Sequence, residues 1–171
     1  MIESILNDET GAILSDCRKY RYVLWRQWDS KKPYCLFIGL NPSTADETLD
    51  DPTIRRCVRF SKDWGYGSCV MANIFAFRAT KPVDMKSQID PVGIDNNVWL
   101  QDLARNAGKI ICAWGTHGNY LERDDEVFYL LHSLHLQCLG TTKAGHPKHP
   151  LYLRSDTQPV NCINNAKTKE V

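Results

Sequence analysis

The chain has 171 residues, 43% hydrophobic and 24% charged, the size and balance of one globular domain with a sizeable core. Its formal charge of +1 argues against the strong basic field of a protein that coats duplex DNA. No apolar run approaches the ~20 residues of a membrane span, and the N-terminus has no basic segment followed by an apolar one.

The seven cysteines are scattered, with no C-x-x-C pair and no zinc-finger spacing. They read as reduced thiols of a cytoplasmic protein, with no cofactor or metal expected. A single domain is expected over 1–171, with its core at about 17–155 and a tail over 156–171.

Residues 1–16 are weakly patterned. Tyr20 to Trp28 is aromatic, β-branched and partly alternating, which predicts a strand at the N-terminal edge of a sheet. Tyr34 to Leu40 is a near-continuous apolar run, as in a parallel strand covered on both faces, and it stops at Gly39-Leu40-Asn41-Pro42-Ser43. Asp51-Pro52 supplies an N-cap and a proline at the first helical position, so a helix is predicted from there to Trp64. Its outer face carries Arg55, Arg56, Arg59 and Lys62, with phosphate binding weighed against a plain solvated surface.

Ser68 to Phe77 predicts the second central strand, with Asn73 set among apolar residues. A buried amide needs a hydrogen-bonding partner, either a neighbouring loop or a ligand such as a base edge. An amphipathic helix follows Gly93 and runs to about Gly108, then a third strand over Lys109 to Trp114 ending in Gly115-Thr116-His117. A helix over Tyr120 to His132 and a short strand over Leu134 to Leu139 complete the pattern. In the last loop, His146-Pro147 and His149-Pro150 hold two imidazoles on stiffened, non-helical backbone.

Strands alternating with helices imply right-handed crossovers. The expected fold is therefore an α/β three-layer sandwich with a central, mainly parallel four-stranded sheet and an extra N-terminal edge strand. The polar loops after the strands should gather at one sheet edge, where such folds bind ligands.

Six segments carry a resemblance to a known family: Gly-Leu-Asn-Pro-Ser-Thr-Ala-Asp, Asp-Asp-Pro-Thr-Ile-Arg-Arg, Trp-Gly-Tyr-Gly, Asn-Ile-Phe-Ala-Phe-Arg-Ala-Thr, Ala-Trp-Gly-Thr-His-Gly and Gly-His-Pro-Lys-His-Pro-Leu-Tyr-Leu. Together they resemble the domain of unknown function 1643 family, over about Tyr20 to Leu153. More distantly, the order Gly-x-Asn-Pro, strand asparagine, Trp-Gly-x-His and His-Pro is similar to the uracil-DNA glycosylase superfamily.

That second resemblance implies a uracil-DNA glycosylase-like fold and a base-binding pocket. Gly39, Asn41 and Pro42 would form the water-activating motif, with Ser43 after the proline. Asn73 would read the base, Trp114 and His117 would belong to the third-strand motif, and His146 or His149 would face the base carbonyl. Asn41 would hold the water, but a neutral amide accepts a proton poorly, so a carboxylate is also sought: Asp46 first, with Asp50 and Asp51 behind it. Phe75 or Phe77 would stack on a base, and Arg78, Lys143, Lys148 and Arg154 would flank the pocket and meet a phosphate.

The expected function is a nucleobase- or nucleotide-handling protein, acting on an N-glycosidic bond in a nucleotide or nucleic acid. A non-catalytic binding module is the alternative. The near-neutral charge favours a free nucleotide, a single strand or RNA over duplex DNA, and metal binding through His117, His146 and His149 is a weaker third reading.

Overall fold

A computed structural model of the protein describes Leu6 and residues 8–162. Its centre is a single sheet of β1 (Thr10–Leu14), β2 (Arg21–Gln27), β3 (Tyr34–Gly39), β4 (Ser68–Asn73), β5 (Lys109–Cys112), β6 (Leu136–Cys138) and β7 (Val160–Asn161). The spatial order is β1-β2-β4-β3-β5-β6-β7. The middle strands β4, β3, β5 and β6 run parallel, while β1, β2 and β7 pair antiparallel at the flanks.

The helices are α1 (Pro52–Asp63), α2 (Pro82–Lys86), α3 (Asn96–Asn106) and α4 (Arg123–Leu130). Alternation along β3 explains why both faces of the sheet need cover. Leu36 and Ile38 join a core with Leu100 and Leu103 of α3 and Val127 of α4, whereas Cys35 and Phe37 join one with Ile54, Cys57 and Phe60 of α1. A residue buried on either face gives the uninterrupted apolar run seen in the sequence.

The sheet is larger than the four strands plus one edge strand expected. β2 is not the edge, because β1 forms from the weakly patterned N-terminal stretch and pairs along it. Side chains fasten this segment more than its own pattern does: the Trp25 indole donates to the Asp8 carbonyl at 3.1 Å, and the Gln27 amide to the Leu6 carbonyl at 2.9 Å. At the other flank, Val160–Asn161 of the expected tail pairs with β6, and residues 163–171 lie outside the described residues.

The second central strand also ends earlier than the apolar run suggests. After Asn73 the chain turns across β3, with Ile74 N–H donating to the Gly39 carbonyl and Phe75 N–H to the Leu40 carbonyl. The short α2 was not foreseen either, since it is one turn started by Pro82 and too brief to show periodicity. All seven cysteines are free, and no helix among the described residues is long and apolar enough to cross a membrane.

Candidate functional site

β3 has β4 on one side and β5 on the other, so successive crossovers leave it in opposite directions. A crevice opens at such a reversal outside the carboxyl ends of the strands. Here it is a cavity of about 570 Å³ that receives Gly39 and Asn41 from the end of β3, Asn73 from β4, Trp114 and His117 from the end of β5, and His149. Arg21 from β2 and Asp51 from the start of α1 also reach its wall.

Asn73 is 4% exposed, and its Oδ1 is buried with no hydrogen-bonding partner among the described residues. Gly39, its parallel neighbour, makes room for it: a Cβ there would stand 2.8 Å from Asn73 Nδ2. Trp114 is 2% exposed and packs edge-on to Phe128 at 5.2 Å, yet its Nε1–H is likewise buried and unpartnered. Gly118 must be glycine beneath it, because a Cβ would fall 2.1 Å from the indole. One acceptor and one donor are thus buried without a partner among the described residues, on two residues that both line the cavity, and an unmade buried hydrogen bond costs free energy.

Asn41 is anchored rather than free. Its Nδ2 donates to the Ala79 carbonyl at 2.7 Å and to the Pro42 carbonyl at 3.1 Å, which ties the loop after β3 to the segment after β4. Its Oδ1 is the end left for a ligand or water. Pro42 is buried beneath this tie and Ser43 lines the cavity.

The two His-Pro pairs diverge. His149 lies on the cavity wall, and its Nδ1 accepts from Leu151 N–H at 3.3 Å, so Nε2 carries the ring proton when the ring is neutral. The residue is exposed at its edge, but the protein atoms packed around the ring desolvate it and push its pKa below the ordinary imidazole value, partly offset by the negative charge of Asp51. His146 does not line the cavity; its Nδ1 stands 3.6 Å from Asp124 Oδ2, whose own pKa burial pushes up. His117 is at the exposed rim, with Nδ1 3.3 Å from Lys86 Nζ. Among the described residues, no group of three or more His, Cys, Asp or Glu stands close enough to hold a metal ion.

Several expected site residues lie elsewhere. Asp46 is absent from the cavity wall: its Oδ1 accepts from Leu49 N–H at 2.8 Å and Thr48 N–H at 3.0 Å, and these bonds hold its pKa below the usual carboxylate range. It is a turn-forming carboxylate. Phe75 is wholly buried against Tyr120, and Phe77 packs edge-on to Tyr20 at 5.6 Å, so neither ring faces the cavity. Lys148 is exposed and outside it.

The three arginines expected to meet a phosphate lie off the cavity wall, and each makes a backbone hydrogen bond. Arg55 donates to the Asp50 carbonyl at 2.8 Å, Arg56 to the Leu153 carbonyl, and Arg78 to the Arg18 carbonyl at 3.3 Å. The cation that does reach the cavity is Arg21, 3% exposed, with Nη1 donating to the Ala45 carbonyl at 2.7 Å. Burial pushes its pKa down to about 10, opposed by Asp51. One signal in the sequence marked it: an arginine inside an aromatic and β-branched strand that burial would otherwise reserve for apolar residues.

A mixed α/β fold with a cavity of mixed apolar and polar lining at its strand ends is the class that this geometry defines. The family model described as protein of unknown function DUF1643 matches residues 21–151, and the chain belongs to that family. Neither a comparison with curated proteins nor one with solved structures returned a match.

Proposed function

We propose that the cavity binds a nucleobase, as part of a nucleotide or of single-stranded nucleic acid, and hydrolyses its N-glycosidic bond. The observation that carries this reading is the buried Oδ1 of Asn73, an acceptor on the cavity wall with no partner among the described residues, which a ligand donor would satisfy. An amide also offers a donor, so a planar base edge with a donor next to an acceptor meets it at two points. The order of the cavity residues along the chain supports the likeness to uracil-DNA glycosylases, as do the parallel strands β4, β3, β5 and β6.

On this reading His149 Nε2–H faces the carbonyl oxygen of the base and meets the negative charge that builds there as the bond to the sugar breaks. A neutral imidazole suits this task, because it donates a hydrogen bond without transferring a full charge. Asn41 Oδ1 orients the attacking water from the other side. The cavity volume of about 570 Å³ is within the range of small-molecule sites.

The test is a panel of nucleosides, nucleotides and modified-base single-stranded oligonucleotides, with released base detected by mass spectrometry. Release by the wild type that falls by about 10²-fold or more in His149→Ala supports the reading. Tight binding without release across the panel makes the protein a nucleotide-binding module instead. Absence of both binding and release removes the ligand class.

A further inference from the structure

Hydrolysis of a glycosidic bond needs a proton acceptor for the attacking water, and Asn41 cannot supply one, being neutral and bonded through Nδ2 to two carbonyls. Three carboxylates follow it closely in the chain, and the structure separates them. Asp46 is held in its own turn and lies off the cavity. Asp50 is paired with Arg26, Oδ1 to Nε at 2.8 Å, and also lies off it. Asp51 lines the cavity.

Asp51 is the N-cap of α1. Its Oδ1 accepts from Ile54 N–H at 2.9 Å, which fixes the carboxylate, and Oδ2 has no partner among the described residues. Resting on the glycosidic reading above, we infer that Asp51 is the general base of this cavity. An independent feature points to a ligand at the same cavity: the buried Asn73 Oδ1, with no partner among the described residues. Arg21 supplies the opposite charge within reach of Asp51, and the electrostatic influence of Asp51 on His149 puts base and carbonyl donor in one field.

The step balances without a further reactant. Asp51 Oδ2 takes a proton from water as the water oxygen bonds to the anomeric carbon. The electron pair of the carbon–nitrogen bond leaves with the nucleobase, whose anion is held by His149 Nε2–H and then takes a proton from solvent. The proton on Asp51 returns to solvent, leaving free base and a sugar hydroxyl.

The same single-stranded and nucleotide panel tests this with Asp51→Asn, which removes the base and keeps the cap, since asparagine caps helices as well as aspartate. The expected result is that base release falls by about 10²- to 10⁴-fold while binding of the released substrate's parent compound stays within about threefold. Asp51→Ser, another good cap, should show the same loss and decides the matter if Asp51→Asn fails to fold. Asp46→Asn should release base at close to the wild-type rate. Wild-type-like release by the Asp51 variants overturns the assignment and leaves the glycosidic reading standing. A wild type that releases no base from any member overturns both.

Discussion

At the amino ends of the parallel strands, the Tyr34 hydroxyl donates to the Leu103 carbonyl at 2.5 Å and the Trp28 indole to the Tyr66 carbonyl at 2.9 Å. At the carboxyl ends of the same sheet, Asn73 Oδ1 and Trp114 Nε1 are buried and have no partner among the described residues. The residue types are comparable, yet one end satisfies its polar groups and the other withholds them. A fold selected only for stability would satisfy both, because an unmade buried hydrogen bond costs more than a made one contributes. On the proposed reading, the difference reflects a carboxyl end built to bind a ligand.

The contrast predicts opposite outcomes for two substitutions. Tyr34→Phe should lower unfolding free energy by about 1 kcal/mol and leave ligand binding alone. Asn73→Leu, which keeps the branching and removes the polar groups, should raise stability by about 1 kcal/mol and weaken binding of nucleobase ligands by 10²-fold or more. Chemical denaturation and calorimetry read the two effects, and a destabilised Asn73→Leu would break the comparison.

A smaller effect is expected from Gly39→Ala, whose added Cβ would stand 2.8 Å from Asn73 Nδ2 and must push the amide aside. Stability should fall by about 1 kcal/mol, and base release by about tenfold or more, because displacements on the ångström scale disturb a reacting geometry. Melting curves and release rates measured together distinguish a displaced amide from an unfolded strand.

The subtlest test concerns His149. NMR titration should place its pKa below the ordinary 6.5, with burial as the cause, and lower still in Asp51→Asn, which removes the offsetting negative charge. The sign for stability follows: with the folded pKa below the unfolded one, the contribution is present above about pH 6.5 and is lost as pH falls through the folded value. A His149 that titrates above 6.5 would contradict the environment described.

Much of this architecture was legible in the sequence where local chemistry and global fold agree. Asp51-Pro52 announced α1 because a capping carboxylate and a preset proline angle act within one turn. The apolar runs of β3, β4 and β5 announced parallel strands because both faces of the sheet are covered. β1 and β7 were hidden, as their pairing depends on partners far along the chain rather than on their own periodicity.

In the site, Asn41, Asn73, Trp114 and His117 were found through strand ends and motif order. The choice between His146 and His149 was not readable, because three residues of loop suffice to send one ring to Asp124 and the other to the cavity. The same holds for the acids: Asp46 is nearest Asn41 in sequence, but its turn holds it off the cavity wall, while Asp51 reaches the cavity at the head of a helix. Arg21 was missed because β2 reads as an edge strand, and its contact with the cavity depends on its place beside β4.

The tie made by Asn41 carries a consequence for what residue 41 can be. Its amide nitrogen lies 2.7 Å from one carbonyl oxygen and 3.1 Å from another. An aspartate would set a negatively charged oxygen against both, repelling the backbone that joins the two loops. The loop architecture therefore excludes a carboxylate at the very position where the chain first enters the cavity. On the proposed reading, acidic chemistry arrives by another route, from the acid at the first turn of α1, so that the asparagine at one loop and the acid at the other are linked. Substitution at 41 alone would not convert this site into an aspartate-based one; the carbonyl contacts with Pro42 and Ala79 would have to be rebuilt with it.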